Sequence, residues 1–243
     1  MNKKLIAVIA VIILICIVSV FVIVKKESST SDNPLVIKGE DNSQTDWIII
    51  RAKNTNYNND SSKIYVSSSL PQFENLGTAY NNFINDRITN DSNYLSVYNS
   101  LASGLADGET GEFDYKTSYE RYDCGSYISL VVNQYILFGD SRPISKKKCY
   151  VVDSNNKRTA VLEDVFKNKV SYKKRVVAEV NRQAEEAGIE LVGGKGITSI
   201  SEMQAFYIKD NKLHIYFEAA EIAAAAYGEL DFELDFEMVD GKF

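Results

Sequence analysis

The first hydrophobic pattern in this chain is an unbroken apolar run from Leu5 to Val24, with two lysines directly on either side. A helix of about 20 apolar residues spans a hydrocarbon core of about 30 Å. Lysines at both ends place positive charge at the two headgroup layers and hold such a helix in position. The run therefore predicts one transmembrane helix.

The sequence after the run argues against its removal as a signal peptide. Cleavage needs small residues at the −3 and −1 positions, and the segment 21–25 reads FVIVK. The flanking lysines alone do not orient the helix, but the short head favours a cytoplasmic N-terminus. We expect a single-pass protein of the cell membrane with the following parts: a cytoplasmic stub at 1–4, the anchor at 5–24, a polar linker at 25–45 and one extracytoplasmic domain at 46–243.

The second pattern is a helical repeat within that domain. Apolar residues recur at three- and four-residue spacing after Pro71, and again from Tyr172 to Ala187. This spacing places them on one face of a helix and predicts two main amphipathic helices. A shorter helix is predicted at 93–102 and one helical turn at 161–166.

The third pattern is the β-branched, aromatic and alternating sequence typical of strands. It predicts strands at 46–52, 63–69, 113–122, 127–138, 147–153, 205–208, 213–217 and 229–238, with a turn in the Asn-rich stretch 54–60. Helices do not alternate singly with these strands, which is typical of α+β domains. We expect an antiparallel sheet with the two main helices packed on one face.

The last predicted strand carries the strongest candidate for a binding surface. Acidic and apolar residues alternate along it, and the acidic positions are Glu229, Asp231, Glu233, Asp235 and Glu237. Their carboxylates would lie about 6.6 Å apart on one face, and such a row of like charges destabilises a strand unless it is offset. Basic neighbours, or an edge strand kept soluble by its charge, would explain the row. The alternative is a surface that docks a cationic protein or Ca²⁺.

The charge of the chain points to the same class of partner. All 33 acidic residues follow Lys26, as do all but four of the 27 basic residues, so this part carries a net charge of −10. Such a surface disfavours nucleic acid and favours cationic partners.

No motif in the sequence indicates catalysis or a cofactor. His214 is the only histidine, and no G-x-S-x-G pattern is present. We expect His214 to be a surface or hairpin residue and the protein not to be an enzyme. Without a CxxC motif or a histidine cluster, we expect neither a metal nor another cofactor. Cys124 and Cys149 are the only cysteines beyond the apolar run, and they form either a disulfide or, in a reducing habitat, two buried thiols.

Short segments spread over the predicted domain carry a family resemblance. They are LPQF at 70–73, FIN at 83–85, YISL at 127–130, YVVD at 150–153, VLEDVF at 161–166, LHIYF at 213–217, EIA at 221–223 and YG at 227–228. Together they resemble the extracytoplasmic domain shared by the anti-sigma factor RsiV and the peptidoglycan deacetylase PdaC. The resemblance implies a non-catalytic module on the envelope of Gram-positive cells, and in RsiV this domain binds lysozyme, a cationic protein. We therefore expect binding of a lysozyme-like hydrolase, and the alternative is a module that binds peptidoglycan or is structural in the wall.

Overall fold

A computed structural model describes residues 48–103 and 111–235. The predicted stub, anchor and linker lie outside these ranges, as does Glu237. None of the described helices is long and apolar enough to cross a membrane.

The larger of two sheets has six strands, which lie side by side in chain order. They are β1 (Ile50–Asn59), β2 (Ile64–Phe73), β3 (Phe113–Cys124), β4 (Tyr127–Phe138), β5 (Ile144–Asp153) and β6 (Arg158–Thr159). All neighbours run antiparallel except β2 and β3, which are parallel. The parallel pair forms because two helices between these strands return the chain to the same end of the sheet.

These two helices cover one face of the larger sheet. They are α1 (Thr78–Asp91) and α2 (Tyr94–Ala102). Ile84 and Ile88 of α1 are fully buried in a core that includes Ile128 and Leu130 of β4. Their four-residue spacing places both isoleucines on the same side of the helix, where burial stabilises the fold by about 2 kcal/mol per side chain.

A second sheet lies on the opposite face of the larger one. Its strands, in order, are β7 (Phe206–Lys209), β8 (Lys212–Phe217) and β9 (Leu230–Asp235), and α3 (Tyr172–Glu186) packs against it. Val176 and Val180 of α3 share a buried core with the apolar residues of all three strands. β7 lies across β3, β4 and β5, and the Ile208 N–H donates a hydrogen bond to Ser129 Oγ at 2.9 Å.

The prediction of an α+β domain is confirmed, but its arrangement differs from the expected one. α1 and α3 cover different sheets, so the chain does not form one sheet with both main helices on one face. The three consecutive antiparallel strands β3, β4 and β5 are confirmed, as is the helix from Tyr172.

The N-terminal hairpin also differs from its prediction. The Asn-rich stretch is part of β1, which continues to Asn59, and the turn comes after it. Pairing with β2 holds this stretch extended, because the pairing context outweighs the low strand propensity of asparagine. β2 continues past Pro71 to Phe73, so the first helix begins later than the sequence predicts, at Thr78.

Candidate functional site

One carboxylate of the acidic strand β9 meets side chains of both sheets. The side chain of Asp231 is only 24% exposed and contacts three other strands. Tyr207 Oη donates a hydrogen bond to its carboxylate at 2.6 Å, Lys147 Nζ donates at 3.0 Å, and His214 Nδ1 lies 3.1 Å from it. Residues from β5, β7 and β8 thus meet at one carboxylate.

This arrangement keeps both Asp231 and Lys147 charged. Burial alone would raise the pKa of the Asp231 carboxyl, but hydrogen bonds from His214 and Tyr207 and the charge of Lys147 outweigh burial and lower the pKa to about 2. Burial likewise opposes the charge on Lys147, and Asp231 outweighs it and raises the pKa of the ammonium. The two groups form an ion pair at neutral pH.

The other described carboxylates of the acidic row, Glu229 just before β9 and two on the strand, also have partners. Tyr216 Oη donates to Glu229 Oε1 at 2.5 Å, and burial raises the pKa of Glu229 in spite of this bond. Glu233 and Asp235 are 51% and 56% exposed, and Lys212 Nζ lies 2.5 and 3.5 Å from their oxygens. Basic and hydroxyl groups on neighbouring strands therefore offset the acidic row, as one of the two explanations predicted.

Aromatic side chains complete this inter-sheet cluster. Its members are Tyr122, Lys147, Tyr207, His214, Tyr216, Glu229 and Asp231. The ring of His214 stacks on Tyr207 with the ring centroids 4.4 Å apart, and Tyr122 stacks on the same ring from β3 at 6.1 Å.

The prediction that His214 is a surface or hairpin residue is confirmed for the hairpin, because His214 lies on β8 opposite Tyr207 of β7, but its side chain is only 12% exposed. Alternation correctly places it opposite Leu213 and Ile215, which face the α3 core. Sequence reasoning missed that the polar face of the second sheet is itself covered. The signal was present, since Tyr207, His214 and Tyr216 share that face with the acids, and aromatic residues favour packed surfaces.

The two cysteines are thiols in the structure, so the disulfide alternative does not form. Cys124 ends β3 and Cys149 lies in β5, with the whole of β4 between them. Two strand spacings are about 9.6 Å, which exceeds the separation of about 7 Å that a disulfide tolerates between Cα atoms. Cys124 Sγ instead donates a hydrogen bond to Asn211 Oδ1 at 3.2 Å.

A cleft of about 470 Å³ opens beside the inter-sheet cluster. We call it the edge cleft, because residues 147–151 of β5 line it along their strand edge. It is also lined by the end of β6 and the chain after it at 159–161, by the loop 201–205, by Arg87 and Asp91 of α1, and by Tyr216, Glu218 and Glu221 of the second sheet and its following turn. Its volume is within the usual range for ligand sites.

Both walls of the edge cleft are held in place by polar contacts. On the α1 wall, Tyr150 Oη donates to Asp91 Oδ2 at 3.0 Å, and the Arg87 guanidinium lies 5.9 Å from the centre of the Tyr150 ring. On the second-sheet wall, Lys148 Nζ donates to Glu218 Oε1 at 2.8 Å, and this bond lowers the pKa of Glu218. Such fixed charged and hydroxyl groups suit recognition of a polar partner.

Reactive chemistry has less support from the described residues. Burial raises the pKa of the Cys149 thiol to about 12, so it is a poor nucleophile at neutral pH. Across 48–103 and 111–235, no group of three or more His, Cys, Asp or Glu side chains is placed to hold a metal ion.

Comparison with solved structures shows the same fold in two bacterial proteins described as DUF3298 family members. One, from Bacteroides fragilis NCTC 9343, is 13% identical with a TM-score of 0.51, over 81% of this chain and 94% of that chain. The other, from Pseudomonas aeruginosa PAO1, is 8% identical with a TM-score of 0.56, over 81% and 95%. No curated protein matches the chain. Residues 163–237, which include α3 and the second sheet, match the model of the family described as "Protein of unknown function (DUF3298)".

Proposed function

We propose that this protein is a membrane-anchored binding module of the cell envelope that captures a cationic protein, such as a lysozyme-like hydrolase. The main support is the edge cleft, which has the size of a ligand site and a wall of fixed polar groups. The anchor predicted at 5–24 would hold the domain outside the cell, where such hydrolases act on the wall.

The charges around the edge cleft support a cationic partner. Glu202 at the rim is 84% exposed, and Glu218 and Glu221 lie on the same side of the cleft. With Asp91 the lining holds four carboxylates against three cations, Arg87, Lys147 and Lys148, and Glu202 and Glu218 are themselves paired with Lys173 and Lys148. Together with the net charge of −10 beyond Lys26, these carboxylates attract positive surfaces at long range.

The resemblance to the RsiV and PdaC domain supports the same partner. Its segment LHIYF is most of β8, which supplies His214 and Tyr216 to the inter-sheet cluster. Its segment YVVD forms the end of β5 and lines the edge cleft through Tyr150 and Val151. These two of the eight segments that carry the resemblance therefore lie at or beside the edge cleft, where we propose that binding occurs.

The proposal is tested by measuring association of the full chain, purified in a mild detergent, with a cationic c-type lysozyme. We expect the association rate constant to fall by about tenfold or more between about 0.02 and 0.2 M salt, because oppositely charged surfaces steer the encounter. Lysozyme with acetylated lysines is the matched control probe and should bind much more slowly.

Two charge-reversal variants test where on the domain the partner binds. Glu202→Lys should slow association several-fold, whereas Glu185→Lys, an equal change of charge on the exposed face of α3, should have less effect. Salt-independent association, or equal effects of both variants, would overturn the proposal. Retention on purified peptidoglycan without lysozyme binding would favour the wall-binding alternative.

A further inference from the structure

The outer edge of β5 has a neighbouring strand along only a small part of its length. β6 pairs with Val152 and Asp153 alone. One further bond, from the Ala160 N–H to the Val151 carbonyl at 2.7 Å, follows before the chain leaves the sheet. Residues 147–150 of β5 therefore border the edge cleft rather than a seventh strand.

The alternation of the ladder shows which main-chain groups face the cleft. In an antiparallel strand, successive residues direct both the N–H and the C=O to opposite edges. Lys147 directs its N–H away from β4, because it donates to Tyr216 Oη at 3.2 Å, and Val151 accepts from Ala160 on the same side. Cys149 lies between them in an unbroken register, so its N–H and C=O also point outward. Among the described residues, neither group has a hydrogen-bond partner on that side.

We propose that the edge cleft receives an extended, basic segment of the partner protein as an added strand beside β5. This rests on the proposed function, since it states how the cationic partner binds. An added strand would lie about 4.8 Å from β5, where the outward groups of Cys149 can bond its main chain. Residues 147–150 extend about 13 Å and accommodate about four residues of such a segment.

The side chains around the cleft favour a basic added strand at this edge of β5. Lysines along an edge usually discourage strand pairing. Here Lys147 and Lys148 turn instead into ion pairs with Asp231 and Glu218, so they leave the edge accessible. Alternate side chains of an added strand would point to the two walls. Each wall carries a carboxylate, Asp91 beside Tyr150 or Glu218 beside Lys148, whose remaining acceptor positions can bond a basic side chain.

The test uses two peptides with the same charge. The probe is a labelled acetyl-KTKVKTK-amide, and the control is the same peptide with its central amides N-methylated, which removes the main-chain donors and leaves every side chain. Fluorescence anisotropy with the full chain in detergent should give an affinity at least about tenfold higher for the probe, a difference of about 1.4 kcal/mol. Equal affinities, or no binding of the probe at about millimolar concentration, would overturn strand addition.

A second pair of measurements locates the added strand. Bound probe should slow amide hydrogen exchange in the peptide that contains Cys149. Cys149→Pro should weaken probe binding about tenfold, because proline lacks the outward N–H but breaks no bond to β4. Cys149→Ala keeps the main chain and should bind normally.

These measurements separate the two proposals. Exchange protection confined to another edge, such as β1, would overturn the assignment to β5 even if Cys149→Pro does not fold. Salt-dependent lysozyme binding together with equal affinities of the two peptides would leave the proposed function standing and remove strand addition. Loss of the salt dependence would remove the proposed function itself.

Discussion

Asp231 is the residue whose environment most changes the interpretation of the acidic strand. By alternation it belongs to a solvated row of carboxylates, but in the structure its side chain is three-quarters covered and bonds Tyr207 and Lys147. A carboxylate in such a position stabilises the fold through its partners and is less available to a ligand than its neighbours. Glu233 and Asp235 are the members of the row that remain half exposed.

Replacing Asp231 tests this difference directly. Asp231→Asn removes the charge and leaves Lys147 partly buried without its counter-ion, so we expect the free energy of unfolding to fall by about 2 kcal/mol. Asp235→Asn on the same strand is the control and should change it by less than about 0.5 kcal/mol, because its exposed ion pair contributes little. Urea unfolding of both variants gives the comparison, and equal losses would contradict the inter-sheet role of Asp231.

Cys149 provides a second test at this scale. With its pKa raised to about 12 from an ordinary 9.0, its thiolate fraction at pH 8 falls by about a thousandfold. We expect iodoacetamide to modify Cys149 very slowly in the folded chain and rapidly in urea without reductant. Mass spectrometry of the alkylated chain measures both rates. If the cysteines beyond the apolar run resist alkylation in urea until a reductant is added, a disulfide is present after all.

At the scale of elements, the loop after α3 is fixed by one side chain. Asn181 Nδ2 donates to the Ile197 carbonyl at 2.9 Å, and Asn181 Oδ1 accepts from the Ile197 N–H at 2.8 Å. Gly196 precedes this contact with φ +77°, and a Cβ there would lie 2.6 Å from Asn181 Oδ1. Only glycine leaves room for Asn181 to hold the loop on the helix.

Alanine substitutions separate the steric effect from the backbone effect. Gly196→Ala should destabilise the protein by about 2 to 3 kcal/mol, because it adds a clash to the cost of a left-handed conformation. Gly194→Ala, at φ +67° with nothing within 4 Å of the added Cβ, should cost only about 1 kcal/mol. Thermal unfolding of the two variants measures the difference, and equal shifts would show that Asn181 moves aside freely.

Local signals explain which elements the sequence predicts well. Turn residues and alternation within twelve positions predict the β7–β8 hairpin, in which Asp210 and Asn211 have positive φ. The placement of β7 across β4 cannot be predicted in this way, because it depends on contacts between residues about 80 positions apart, such as Ile208 and Ser129. The acidic candidates could be named from sequence for the same local reason, whereas Lys147 and the edge cleft depend on how the two sheets meet.

At the scale of the whole molecule, acidic groups whose carboxylates are paired or buried on folding link stability to pH. Hydrogen bonds from Arg158 and Arg182 lower the pKa of Asp164 and Glu179, and the partners of Asp231 lower its pKa to about 2. A carboxyl whose pKa is lowered on folding stabilises the protein above its unfolded pKa, and this stability is lost as the pH falls towards the folded pKa. Glu229 contributes to stability with the opposite sign. Burial raises its pKa, so its ionisation opposes folding.

The stability of the chain should therefore hold from neutral pH to about pH 4 and fall steeply between about pH 4 and pH 2, the interval between the unfolded and folded pKa of Asp231. Asp231→Asn lacks this group, so the difference in unfolding free energy between it and the natural chain should shrink across the same interval. Glu229→Gln should instead stabilise the protein at neutral pH and lose its advantage as the natural Glu229 becomes protonated. Urea unfolding at a series of pH values measures all three curves. A constant offset between the natural chain and Asp231→Asn down to pH 2 would mean that the carboxylate between the sheets titrates like an exposed one.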